Sequence, residues 1–553
     1  MVILLTILIL TLVVSLTSVL TRLSPVQIPL PLIQIAAGAV LAQPIFGLHV
    51  EFNPELFLLL FIPPLLFAES SKIQPKELIK HSREIISLAL VLVLITIFGV
   101  GYVIHLLLPN VPLIAAFALA AVLSPTDAVA LLGIVGKGRI SKNIQEVLEG
   151  EALMNDASGL VALKFAVAVT MGTMETMEFS VHGATIAFFV VALGGIAVGI
   201  AVTWLYGKGL LLISRYAHDE PSIQIVLMLL LPFIVYLVAE HFGLSGILAA
   251  VAAGLTTSRI GVVHHAPIRL RIKAKSSWSM LEYVFNGMVF LILGLQLPGI
   301  ISESLIRAEN DPLVDTGSLL LDVIWIYLAL MVVRLGWLWL MRLYSRKRPG
   351  KHPMLFAGYK TRHMLLATFA GVRGAITLAG VLSIPLLLPD GTPFPGRYLL
   401  VFLATGVILF SLVCGIIILP LLLGKNVGIF SDNRQKEEEA ADLFMAKMAI
   451  LSVQKTEQRL LRARTENLDN ELIMETGARV IGYMRHSEED MSPNDNSLHM
   501  QRAKLERTFN LAALNAKRAA IYQMRARQEV SDETLAKIVS ELDVLETLIM
   551  DSR

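Results

Sequence analysis

Residues 115–135 read AAFALAAVLSPTDAVALLGIV. Apolar runs flank the tetrapeptide Ser124-Pro125-Thr126-Asp127. The stretch is long enough to cross a hydrocarbon layer, which takes about 20 residues as a helix. Pro125 has no N–H, and its ring clashes with the preceding turn, so the helix should break or kink near its middle. A break at that depth frees backbone carbonyls, which is tolerated only where protein or a water-filled cavity covers them. Asp127 adds a carboxylate at the same level, where a charge costs at least about 2.5–3.5 kcal/mol on insertion scales. A plain proline kink with Asp127 capping the second half-helix is the simpler alternative, but a cap needs no charge at this depth. The stretch predicts an all-α membrane protein with an interrupted helix and an acid at the interruption.

The rest of the chain agrees in class. It has 553 residues, of which 55% are hydrophobic and 16% charged, whereas soluble domains sit nearer 25% charged. That excludes a soluble globular protein, a disordered chain and a secreted disulfide scaffold. Cys414 is alone and lies in an apolar run, so redox chemistry is not expected. No phosphate-cradling loop or zinc spacing stands out, so neither ATP nor a cofactor is expected, and no nucleic-acid partner is implied.

Counting apolar runs gives thirteen candidate spans, roughly 2–21, 26–46, 54–68, 85–108, 113–135, 144–172, 183–206, 222–241, 243–257, 276–298, 318–341, 364–388 and 398–423. The third and ninth are short. The first lacks a basic leader region and reads as a retained span. Residues 1–430 carry 50 charged side chains, and residues 431–553 carry 40 in 123 positions. Charge density thus rises almost threefold near residue 430, which divides a transmembrane domain (1–430) from a soluble tail (431–553). Odd-numbered connections between spans hold 22 Lys and Arg, and even-numbered ones only Arg307 and Arg397. By the positive-inside rule the N-terminus lies outside and the tail in the cytoplasm, with a lipid bilayer as the setting.

Other ionisable residues fall where lipid should forbid them. Span six reads IQEVLEGEALMNDASGLVALKFAV. Its Glu151 and Asn155 share one face, and Asp156 is near its midpoint, about 18 Å from the inner end. Spans five and six run in opposite directions, so Asp127 and Asp156 can meet at mid-membrane. Two carboxylates, an amide oxygen and freed carbonyls form a hard-oxygen site that can hold either a proton or a small cation. A buried acid satisfied by local hydrogen bonds is the alternative for one acid, less so for a pair. Glu151 and Arg334 match in depth, each about 10 Å from the inner end of its span, which suits a compensated buried ion pair. Arg373 sits in FAGVRGAITLAG between Gly371 and Gly374. Glycines let a helix unwind there, and a cation at the break can balance helix C-terminal carbonyls. Spans five and twelve are both interrupted and run in opposite senses, as inverted repeats around a midplane site require.

Lys164 reads as snorkelling outward or pairing within the bundle. Glu69, after FIPPLLF, reads first as a solvated span end and second as a guard of the cytoplasmic entrance. Glu282 and Asn286 read as a hydrogen-bonded link between helices.

FIPPLLF (61–67), SPTDAVA (124–130), GEALMNDASG (150–159), VVRLGWLWL (332–340) and GVRGAITLAG (371–380) together resemble cation:proton antiporter family 1, the NhaP-type and eukaryotic sodium/proton exchangers. The resemblance covers about residues 1–425 and is similar to bacterial inner-membrane members with a cytoplasmic tail. It implies a homodimer of thirteen-helix protomers, each with a mobile six-helix core and a dimerisation domain. It implies secondary antiport of Na+ (with Li+ or K+ as alternatives) for H+ by alternating access, with no cofactor beyond the transported ions. Asp156 would be the shared cation and proton site, Asp127 and the Thr126 carbonyl would lie beside the ion, and Asn155 would support the core. Glu151 and Arg334 would form the ion pair, and Arg373 would neutralise the helix crossing. The Asn-Asp order marks electroneutral exchange. Two positions depart from the pattern. Ala152 stands where members often have Ser, leaving Ser158 or water to complete the shell, and Ala68 separates Glu69 from the proline motif.

In the tail, residues 445–464 and 533–550 have helical apolar spacing, and 486–497 reads as a polar loop between them. Three alternative functions are a K+-preferring antiporter, a cation channel, and an intramembrane serine protease using Ser245 in Gly243-Leu244-Ser245-Gly246 with His241 nearby.

Overall fold

The computed structural model describes residues 2–423, apart from 24–28, 44–52, 74–78, 137–138, 141, 173–180, 217–220, 261–267, 310–317 and 348–360. Beyond 423 it describes 448, 450–459, 461, 474–482, 496–527, 535, 538–539 and 542–546. Basic loop residues such as Lys76, Lys137, Lys351 and Lys360, and most of the 486–497 loop, lie outside the described residues.

The described elements are helical because the chain is. Long apolar runs cannot leave backbone groups unpaired in lipid, and a helix pairs them internally. In chain order the helices are α1 (Val2–Leu23), α2 (Leu30–Leu41), α3 (Pro54–Lys72), α4 (Ser82–Leu107), α5 (Leu113–Leu123), α6 (Ala128–Val135), α7 (Lys142–Thr170), α8 (Val181–Tyr216), α9 (Pro221–His241), α10 (Gly246–Ile260), α11 (Ile268–Glu309), α12 (Leu319–Lys347), α13 (Thr361–Phe369), α14 (Ala375–Leu382) and α15 (Arg397–Leu423). Each of the thirteen apolar runs holds a helix, and the fifth and twelfth each hold two, α5–α6 and α13–α14. Seven described helices are individually long and apolar enough to cross a membrane, and α5–α6, bent by 47°, makes an eighth.

Several helices outrun the apolar runs that predict them. α11 has 42 residues, about 63 Å at 1.5 Å per residue, against a hydrocarbon core of about 30 Å. Its first turns carry Arg269, Arg271, Lys273 and Lys275. Counting apolar residues therefore locates the lipid-facing stretch and not the helix ends.

The helices sort into two packed groups. One contains α4 to α7 and α12 to α15; the other contains α1 to α3 and α8 to α11. In the second group α2 and α11 run backbone to backbone, because a Cβ on Gly38 would meet the Gly294 Cα at 2.9 Å. Small residues permit such approach where lipid offers no hydrophobic driving force between helices. α4 contains a π-turn at Ser87–Val91, where the backbone ladder slips and a carbonyl is left for a side chain.

The chain divides into two compact units, Met1–Asn426 and Val427–Arg553. In the second, α16 (Asn496–Ala526) is 31 residues long. It takes in Asn496 and Ser497, which the sequence had suggested as loop. Its Leu514 and Ile521 are buried seven residues apart. Arg518, one turn before Ile521, lies 2.6 Å from Asp543 and also pairs with Glu546.

Candidate cation and proton site

Both broken helices part where the sequence weakens them. α5 ends at Leu123, and α6 restarts at Ala128 with Asp127 as its N-cap. Asp127 is extended (φ −102°, ψ 104°), and its Oδ1 accepts the Ala130 N–H at 2.8 Å. α13 ends at Phe369 and α14 begins at Ala375, with Gly374 extended at φ −128°, ψ −154°. The breaks meet: the Asp127 N–H donates to the Val372 carbonyl at 2.7 Å. Gly374 is required here, since a Cβ on it would collide with the Asp127 carboxylate. Asp127 thus caps a helix and also faces the crossing, so the simple-cap alternative describes only one of its oxygens.

Arg373 serves the freed carbonyls. Its Nε donates to the Leu123 carbonyl, at the C-terminus of α5, at 3.1 Å, and its Nη1 donates to the Gly371 carbonyl. Its backbone N–H is taken up by Ser411 Oγ on α15 at 3.1 Å. These are the groups a mid-membrane break leaves bare.

Glu151 on α7 and Arg334 on α12 face each other in a two-pronged pair. Nη2 lies 2.8 Å from Oε2, and Nη1 donates to Oε1. Arg334 Nε also donates to the Ala367 carbonyl at 3.0 Å. Both side chains are almost wholly buried, at 1% and 4% exposure. Asn155 holds the α5–α6 break from α7: its Nδ2 donates to Thr126 Oγ1 at 2.9 Å, and its Oδ1 accepts the Thr126 N–H at 3.4 Å.

Asp156, Asp127 and Thr126 line one cavity of about 40 Å³. That exceeds the roughly 10–15 Å³ one water needs, so an ion with a few waters fits and a large solute does not. The walls come from both helix groups: α3 and α11 on one side, and the α5–α6 break, α7 and α14 on the other.

Two sequence readings need correction, and a third residue has a simpler role. Glu69 is not a solvated span end, because it lines this cavity with the two aspartates. Ala68 shifts it along α3, and one turn of helix brings it round to the interior. Ser158 does not line the cavity; its hydroxyl donates to the Ala89 carbonyl at 2.7 Å and the Asn155 carbonyl at 3.1 Å. Ala89 belongs to the π-turn of α4. Ser245 caps a helix, its Oγ accepting the Leu248 N–H at 3.2 Å at the start of α10.

Among the described residues, two further contacts settle open readings. Lys164 on α7 pairs with Glu240 on α9 at 2.9 Å. Glu282 pairs with Lys72 at 2.5 Å, while Asn286, one turn on, lines the cavity. Asn286 and Thr377 are the polar lining residues to which the sequence reading gave no part in the site. Their only signal was a polar side chain one helical turn from Glu282 or from Arg373.

The family profile described as "Sodium/hydrogen exchanger, transmembrane" matches residues 8–424. The chain belongs to this family. The uncharacterized Na(+)/H(+) exchanger YjcE of Escherichia coli (strain K12) is 58% identical over 99% of this chain and 98% of its own length. A sodium, potassium, lithium and rubidium/H(+) antiporter of Bacillus pumilus is 36% identical over 95% of this chain and 75% of its own. The fold is similar to that of the sodium proton antiporter MjNhaP1 from Methanocaldococcus jannaschii, with a TM-score of 0.56 at 19% identity, covering 77% of this chain and all of that one. The sodium/hydrogen exchangers are multi-pass membrane transporters and not enzymes, which removes the protease reading on grounds independent of Ser245.

Proposed function

We propose that the protein exchanges Na+ for H+ across the plasma membrane by alternating access, one ion for one, through a single site at Asp156. One observation carries this: three carboxylates, Asp156, Asp127 and Glu69, line a small cavity at the crossing of two broken helices, between two helix groups. A cation entering it would meet the Asp156 and Asp127 carboxylates and the Thr126 carbonyl. Asn155 supports the reading by holding Thr126 from α7. The Glu151–Arg334 pair and Arg373 satisfy one another and the freed carbonyls, which leaves Asp156 to take either ion.

Coupling then needs no other machinery. Occupancy by Na+ excludes the proton and the reverse, and either occupant neutralises a carboxylate that would otherwise be costly to carry through a low-dielectric layer. The group containing α5–α7 and α13–α15 moves against the group containing α2, α3 and α11, exposing the cavity to each side in turn. Glu69 stands on the path into the cavity. Loop charge supports an outside N-terminus and a cytoplasmic tail, and the resemblance supports a homodimer of thirteen-span protomers. The name of the Bacillus relative makes Li+ and K+ alternative cargoes to be measured beside Na+.

Asp156→Asn in proteoliposomes tests the assignment. The expected result is loss of Na+-driven proton movement by a protein that still inserts and folds. Exchange at the wild-type rate would refute the role of Asp156.

A further inference from the structure

The cavity's carboxylates attract any cation, so sorting one from another falls to its neutral oxygens. A hydroxyl suits this task, being a hard donor of fixed position. Nearby hydroxyls are mostly committed. Ser124 donates to the Ala121 carbonyl at 2.8 Å, Ser158 to Ala89, and Thr126 Oγ1 takes the Asn155 amide. Ala152 lines the cavity with no oxygen to offer.

Thr377 is different. It lines the cavity from the first turn of α14, three residues past Gly374, and is 2% exposed. Among buried helical threonines, Thr17 turns to the Val14 carbonyl three residues back at 2.8 Å and Thr203 has no partner among the described residues, whereas three others return their proton to the carbonyl four residues back: Thr257 to Ala253 at 2.9 Å, Thr368 to Met364 at 2.8 Å, Thr405 to Val401 at 2.7 Å. For Thr377 that residue is Arg373, which lies in the break and not in a helix. Among the described residues its hydroxyl has no hydrogen bond. The cavity that Thr377 lines is where a partner for this hydroxyl would sit.

We propose that Thr377 Oγ1 is a ligand of the transported cation, reaching it from α14, and that it sets preference among monovalent ions. The inference rests on the cavity being the transport site. A lost oxygen costs most for the ions that are hardest to dehydrate, Li+ and Na+, and least for K+.

The test is exchange by the full-length protein in proteoliposomes with Na+, Li+ and K+, at an alkaline pH where protons compete little. Thr377→Val is expected to raise the apparent KM for Na+ and Li+ about tenfold, the size of one lost polar contact to an ion, with a smaller rise for K+. Thr377→Ser should stay near wild type. Adding Ala152→Ser to the valine variant, which returns an oxygen from α7, should recover part of the loss. Wild-type KM values in Thr377→Val, or a serine variant as impaired as the valine one, would overturn the proposal. If the valine variant is inactive outright, the serine variant decides in the same way. An active Asp156→Asn protein would instead sink the site itself, so the two failures are distinguishable.

Discussion

The Asp127 N–H and the Val372 carbonyl are 2.7 Å apart, joining the two interrupted helices at their breaks. With Arg373 bound to the carbonyl of Leu123, this makes α5–α6 and α13–α14 one mechanical unit. In the proposed alternating access, the acid at the crossing and the arginine beside it would travel together.

Gly374→Ala tests how tight that crossing is. The added methyl would run into the Asp127 carboxylate, and the neighbour is a charged group fixed by its cap to Ala130. Exchange should fall at least tenfold. Gly336→Ala, where nothing lies within 4 Å, should leave the rate unchanged and serves as the control.

Replacing Glu151 with Gln strands the Arg334 charge in the core. Breaking a buried pair in this way costs about 3–5 kcal/mol, so thermal unfolding in detergent should shift down strongly. The double variant Glu151→Leu with Arg334→Met removes both charges and should recover much of the loss, short of the bond Arg334 makes to Ala367. A double variant as unstable as the sum of the single ones would contradict a paired role.

Arg373→Ala leaves the Leu123 and Gly371 carbonyls without their donor, each worth about 1–3 kcal/mol when buried. Arg373→Lys restores the charge but not the fork that reaches two carbonyls. Unfolding temperature and exchange rate should therefore rank wild type, then Lys, then Ala. Equal behaviour of the two variants would mean that charge alone matters.

Lys164 and Glu240 also form an ion pair between the two helix groups, but their side chains are 53% and 31% exposed. Solvent screening reduces such a pair to about 0–1 kcal/mol. Lys164→Gln should change the exchange rate by less than about fivefold. Complete loss of exchange would give this pair a larger part in the motion than its exposure allows.

The breaks were readable because Pro125 and the Gly371–Gly374 pair forbid a regular helix in otherwise apolar runs. Depth counting along two helices was enough to bring Glu151 opposite Arg334. Side-chain direction was harder to read. Glu69 looked like a solvated end because its place in the chain, next to Lys72, says nothing about which face of α3 turns inward. Ser158 looked available because the π-turn that exposes the Ala89 carbonyl leaves no mark in an apolar sequence. Thr377 carried no reading in the sequence, because a single threonine just past the break does not show that it faces a cavity. In the tail, the Ala- and Arg-rich composition of α16 hid the sparse apolar seam of Leu514 and Ile521.

Na+-driven exchange in proteoliposomes, followed over a range of pH, bears most directly on a shared carboxylate. If Na+ and H+ compete for Asp156, the apparent KM for Na+ should rise towards about tenfold for each unit of acidification on the acid side of the profile, and saturating Na+ should overcome the inhibition. A KM that stays constant while the rate falls with acid would mean that the two ions do not contest the same oxygen.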